Sequence, residues 1–263
     1  MRVIVTRPHA EGLKWVDALV LAGYDATALP LIDVTTPPDV QALRSAWEHI
    51  AQYDAVMFVS GNAVDHFFSQ KPASAPEWID GGAIKARAFV TGPGSYAALR
   101  RAQVDSDCID SPARDAGQFD SESLWAVVGD RVQPGWRVLV VRGMGANGGA
   151  EQGQGRDWFA DRVRGAGGHV EFVVAYQRVL PQWEAATQLH AERASADGSV
   201  WLFSSSEAIA NLTRLCPQCQ WSAAKAVATH PRIAQAAREA GFGRVCESRP
   251  TLAELMASIE SLQ

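Results

Sequence analysis

Short runs of β-branched and aliphatic residues alternate along this chain with longer stretches whose apolar positions recur every three to four residues. That is the rhythm of βα units around a mostly parallel sheet. Residues 3–6 form the first run, and a helix over residues 10–22 follows, closed by Gly23 as a C-terminal cap. Further strands are expected at 24–29, 54–59, 88–91, 105–109, 136–141 and 169–175. The last third repeats the scheme, with strands at 199–203, 226–229 and 244–246 and helices at 207–214 and 231–240. Thr251 opens a closing helix, with Glu254 placed to complete a capping box.

The pattern also repeats at long range. Val3-Ile4-Val5-Thr6-Arg7 matches Val138-Leu139-Val140-Val141-Arg142, residues 58–64 match 203–209, and residues 90–97 match 227–234, all at a separation of about 140 residues and in consistent order. Two similar α/β domains are the simplest explanation. Two segments interrupt them, near 30–38 and 175–182, both short and extended, and carrying Pro30, Pro37, Pro38 and Pro181, which a buried central strand would reject. Read as a pair of linkers, they make one domain discontinuous, built from 1–35 plus 177–263, with residues 37–174 forming an inserted second domain.

Composition narrows the class. The chain has 263 residues, 47% hydrophobic and 20% charged, which suits a globular protein and excludes disorder as its theme. No run of 18 apolar residues occurs to span a bilayer, and Arg2, Arg7 and Glu11 break up the first apolar run, so neither a membrane span nor a signal segment is expected and a cytoplasmic location follows. The net charge of −5 argues against a nucleic-acid binder. Cys108, Cys216, Cys219 and Cys246 are expected as free thiols. Arginine outnumbers lysine strongly, through coding bias or because planar guanidiniums suit carboxylates and phosphates.

Open parallel sheets bind ligands outside the carboxyl ends of their strands. The residues offered at those turns are Thr6, Arg7, Ser60, Asn62, Gly92, Ser95, Arg142, Ser204, Ser205, Thr229, His230 and Arg232. Hydroxyls, helix N-terminal amides and arginines together favour an anion, although each hydroxyl could equally be an ordinary helix cap. Two such mouths facing each other would make a cleft. Tyr176 ends the strand at 169–175 where the chain enters a linker, so its phenol, a weak acid, could donate a proton there or simply sit half buried by its ring.

Competing motifs are weaker. Gly143 to Gly148 spell Gly-x-Gly-x-x-Gly after a strand, but further glycines at 149, 153 and 155 postpone the helix to about Arg156 and no acidic residue ends the next strand, where Glu171 lies near the beginning. A surface loop or lid fits better than a pyrophosphate cradle. Cys216-Pro217-Gln218-Cys219 follows a helix rather than opening one and has no second ligand pair near it, so it reads as structural. His9, His49, His66, His169 and His190 lack ligand spacing and are read as surface or interface residues.

Taken together, Val-Ile-Val-Thr-Arg-Pro at 3–8, Phe-x-Ser-x-Asn-Ala-Val at 58–64, Gly-Pro-x-Ser at 92–95, Val-Val-Arg-Gly at 140–143, Ala-Tyr-Gln-Arg at 175–178 and Phe-Ser-Ser at 203–205 resemble the uroporphyrinogen-III synthase family along essentially the whole chain. The resemblance implies two flavodoxin-like α/β domains joined by a two-stranded linker, one of them discontinuous. It implies a lyase of haem biosynthesis that closes hydroxymethylbilane to uroporphyrinogen III, with loss of water and inversion of ring D through a spiro intermediate. No cofactor or metal is implied, and the partner is a polycarboxylate tetrapyrrole bound by a monomer. Tyr176 matches the family's linker tyrosine, and Ser60, Ser95 and Ser205 match its hydroxyl positions. Where a Gly-Pro-x-Thr turn is usual, this chain has Thr229-His230-Pro231-Arg232, and the loop over 143–155 is longer than usual. A two-lobed anion-binding module and an NAD(P)-dependent oxidoreductase are the alternatives.

Overall fold

The computed structural model describes residues 1–113, 116, 118–145 and 154–262, with side chains 154–157 outside that description. In chain order the elements are β1 (Arg2–Val5), α1 (His9–Leu21), β2 (Asp25–Ala28), β3 (Asp33–Thr35), α2 (Val40–Glu48), β4 (Ala55–Phe58), α3 (Gly61–Phe68), β5 (Arg87–Val90), α4 (Pro93–Arg101), β6 (Ile109–Asp110) and α5 (Ser121–Val128). They continue with β7 (Arg137–Met144), α6 (Gln154–Gly165), β8 (His169–Val179), α7 (Ala185–Ala196), β9 (Val200–Phe203), α8 (Ser206–Leu215), β10 (Lys225–Ala228), α9 (Pro231–Glu239), β11 (Arg244–Glu247) and α10 (Leu252–Ser261). Among the described residues, no helix is long and apolar enough to cross a membrane.

The chain divides into two compact units, one of Met1–Asp33 with Val179–Gln263 and the other of Val34–Arg178. In unit 1 the sheet runs β11-β10-β9-β1-β2, and all four pairings are parallel. Its strands are apolar on both faces because helices cover both. Ile4, Trp201, Phe203 and Ala226 pack under α8 and α9, whereas Val3, Val5, Leu202 and Val227 face Leu19 of α1 and Leu255 and Ile259 of α10. Asn211 donates its side-chain N–H to the Leu31 carbonyl at 2.8 Å, tying the segment that leaves the sheet.

In unit 2 the order is β3-β8-β7-β4-β5-β6. Phe58, Val90 and Val141 share one face with Trp47, Phe67 and Trp78, and Met57, Phe89 and Val140 share the other with Leu124, Val128, Phe159 and Val163. Numbered within each unit by position, β1, β2, β9, β10 and β11 occupy the places that β7, β8, β4, β5 and β6 occupy in unit 2. The sequence repeat is therefore a repeat of sheet positions, in the 2-1-3-4-5 order of flavodoxin-like sheets.

Several local expectations are corrected. Residues 105–109 do not form one strand, because the Asp105 carboxylate accepts from the Asp107 N–H and curls Ser106–Cys108 into a 3-10 turn before the two-residue β6. β7 runs on to Met144 and β8 to Val179, so Gly143 is a strand residue rather than the start of a loop. Thr251 takes the N-cap position of α10 but makes no capping hydrogen bond, and the capping box does not form. Of the glycine-rich loop over 143–155, residues 146–153 lie outside the described residues.

Candidate active site

Strand order brings the unit 2 rim residues together. β7 lies between β4 and β8, so the turn after β4 and the end of β8 are one strand apart. Ser60 is the N-cap of α3 and accepts from the Ala63 N–H at 3.1 Å. Its Oγ also lies 3.1 Å from the Tyr176 hydroxyl. Tyr176 is 4% exposed, opposite Gly143 at a register change between β7 and β8. The imidazole of His66, in the last turn of α3, stacks on the Tyr176 ring with centroids 5.7 Å apart. Burial pushes the His66 imidazole below its ordinary range, against the opposing charge of Asp65.

The remaining unit 2 residues hold related positions. Asn62 lies in the first turn of α3, partly exposed. Gly92 is the N-cap of α4, followed by Pro93, and no side chain caps that helix, so its first-turn amides are left to other acceptors. Ser95 is buried in the same turn. The Arg142 guanidinium lies over the Phe172 ring, 4.4 Å from its centroid.

Unit 1 presents its rim differently. Thr6 is buried and donates its hydroxyl to the Leu202 carbonyl at 2.6 Å, so it pins β1 to β9 instead of offering a donor. Arg7 stacks over Trp15 at 4.1 Å and bonds Glu11 at 3.0 Å; burial pushes its guanidinium below the ordinary range while Glu11 opposes that shift. Arg7, Trp15, Ser204, Thr229 and Leu255 line a narrow crevice at the ends of β1, β9 and β10. Ser205 caps α8 by accepting from the Glu207 N–H, and His230 caps α9 by accepting at Nδ1 from the Arg232 N–H, both at 3.1 Å. The Arg232 residue itself is exposed.

The rival motifs find structural partners. Glu171 bonds Arg137 at 2.6 Å and accepts from the Tyr53 hydroxyl at 2.8 Å, so it braces the starts of β7 and β8. Cys216 is buried at the end of α8, its thiol pushed up to about 12 by burial first and then by Cys219. Among the described residues no cluster of three or more His, Cys, Asp or Glu is placed to hold a metal. His66 and Gly143 are the residues that the sequence reading set aside and that the structure puts against Tyr176. Only the strand order 8-7-4 makes their proximity visible, and no spacing along the chain encodes it.

Comparison with known proteins adds a family. Residues 14–257 match the sequence profile described as "Uroporphyrinogen-III synthase HemD". The chain is 27% identical over 180 residues to "Uroporphyrinogen-III synthase" of Proteus mirabilis, covering 68% of this chain and 81% of that protein. Its fold is shared with a mutant uroporphyrinogen III synthase from the extremely thermophilic bacterium Thermus thermophilus, at a TM-score of 0.56 and 16% identity over 100% of this chain and 98% of that one. It is shared equally with the uroporphyrinogen-III synthetase of Helicobacter pylori, at a TM-score of 0.57 and 15% identity over 100% of both chains.

Proposed function

Because this chain belongs to the uroporphyrinogen-III synthase family, the cyclising lyases that convert hydroxymethylbilane to uroporphyrinogen III in haem biosynthesis, we propose that Tyr176 is the acid on which its reaction turns. The carrying observation is the 3.1 Å contact between the Tyr176 hydroxyl and Ser60 Oγ at the carboxyl rim of unit 2. Ser60 Oγ accepts from the Ala63 N–H and keeps its own hydroxyl proton, which it can turn to the phenolic oxygen as substrate engages. Tyr176 is then free to donate its own proton to the departing hydroxyl of the substrate. As that proton leaves, negative charge grows on a phenolic oxygen that a serine donor already faces, at the positive end of α3.

Loss of water leaves a cationic azafulvene, which the substituted end of ring D attacks to give the spiro intermediate. Fragmentation and reclosure at the free ring position release one proton, and the phenolate takes it back, so the proton balance closes on a single side chain. The open-chain substrate closes without inversion by itself, so most of the catalytic task is holding the approach geometry and excluding that competitor.

The substrate's eight carboxylates give the remaining rim residues their role in this reading. The uncapped first turn of α4 beyond Gly92, the hydroxyls of Ser95, Ser204, Ser205 and Thr229, Asn62, and the guanidiniums of Arg142 and Arg232 are the donors for them. Thr6, Arg7 and His230 support the rim through their internal bonds. The same reading includes action as a monomer in the cytoplasm, and the four free cysteines support a reducing compartment.

The test is turnover of hydroxymethylbilane with the product isomers separated. Tyr176→Phe is expected to slow formation of the inverted isomer by about a hundredfold, the range of a lost general acid, while the fold persists. A wild-type rate in that variant refutes the acid role. Ser60→Ala is expected to cost less, about tenfold, because Tyr176 keeps its proton and loses only a supporting donor.

A further inference from the structure

The hydroxyl of Tyr176 is only one of its attachments. At Gly143 the β7 backbone runs so close to the phenol that a β-carbon there would come within 2.5 Å of Cε2 and 2.8 Å of Oη. Glycine is required at this position for space. The ring also carries the His66 imidazole, with planes 29° apart. His66 and Ser60 belong to the same eight-residue helix and its cap, so α3 meets Tyr176 twice, at the oxygen from its first turn and at the ring from its last. One hydrogen bond leaves a phenol able to pivot about its own attachment to the backbone. A bare backbone beneath it and a flat ring stacked on it remove that freedom before substrate arrives.

We propose that His66 and Gly143 are positioning residues for Tyr176, holding its ring so that the hydroxyl stays at the reacting end of the rim. The inference rests on Tyr176 being the acid. The stacked group acts through its flat ring, which phenylalanine can imitate and alanine cannot, and burial shifts the imidazole towards its neutral form.

Four variants decide it, His66→Ala, His66→Phe, Gly143→Ala and the double variant His66→Ala/Tyr176→Phe, with kcat and KM for hydroxymethylbilane measured separately alongside Tyr176→Phe. His66→Ala is expected to lower kcat about tenfold with KM within about twofold of wild type, and His66→Phe to restore kcat. In the Tyr176→Phe background, His66→Ala should cost nothing further, since the group it orients is already gone. Gly143→Ala should lower kcat at least as much as His66→Ala, and if it does not fold, the two His66 variants carry the decision. An unchanged kcat in His66→Ala, an equal loss in the Tyr176→Phe background, or a folded His66→Phe that stays slow each overturn the proposal. A wild-type rate in Tyr176→Phe overturns the acid reading and this proposal with it, whereas a slow Tyr176→Phe beside a fast His66→Ala overturns this proposal alone.

Discussion

His66 and His190 both lie below the ordinary imidazole range, His66 through burial and His190 through burial and then the nearby charge of Arg2. The unfolded chain, with imidazoles near 6.5, binds more protons than the folded one as pH falls past that value. Their contribution is thus full above pH 6.5 and is lost on acidification through the lowered folded values. Urea midpoints measured at decreasing pH should begin to fall below about 6.5, before the carboxylates titrate. Replacing both histidines by glutamine should flatten that portion of the curve. A curve that is already flat there in the wild type would contradict the assigned directions. At this scale the sequence shows which residue types reach the rim, but not which polar atoms are already engaged. Thr6 and Arg7 look like donors in the sequence and are committed to Leu202 and Glu11 in the fold.

Short elements depend on single contacts. β6 has two residues and lies at the edge of its sheet, held by the Asp110 carboxylate between Arg87 at 2.8 Å and Arg131 at 2.7 Å. Arg87 also donates to the Asp107 carbonyl, so the same guanidinium braces the turn that precedes the strand. Asp110→Asn removes the charge and leaves two arginines facing a neutral amide. The loss should be about 2 kcal/mol, less than for a wholly buried pair because the Arg131 side chain is 43% exposed. It would read as a lower urea midpoint with an unchanged slope. β6 was also the strand least legible in advance, since only Cys108 and Ile109 are apolar in the segment 105–109 and Asp105 curls the chain ahead of them. The longer strands are legible because helices cover both faces of each sheet, which forces continuous apolar runs. The extension of β7 and β8 was not, because it follows from pairing across the register change at Gly143.

Across the whole molecule, the first half of the chain supplies β1 and β2 to unit 1 and β4, β5 and β6 to unit 2, and the second half supplies the complementary positions in each. Each half thus carries one full set of five positions but divides it between the two units. The pairings β1 with β9 and β4 with β7 cross the middle of the chain, so a chain divided in the turn at Pro134 and Gly135, ahead of β7, should recover the native cooperative unfolding when its two fragments are mixed, and neither fragment alone should show it. Fragments that do not associate on mixing would contradict that exchange of strands. This duplication was visible in the sequence as three ordered matches, whereas the assignment of its parts to alternate units needed the strand order. The arrangement also sets a timetable for biosynthesis. Unit 2 is continuous and can close while the chain is still emerging from the ribosome, but β1, which precedes it in the chain, receives its β9 neighbour only after the partners of a 196-residue separation such as Thr6 and Leu202 both exist. Until then a nascent parallel strand waits with one edge open, so β1 is the segment most in need of chaperoning during translation.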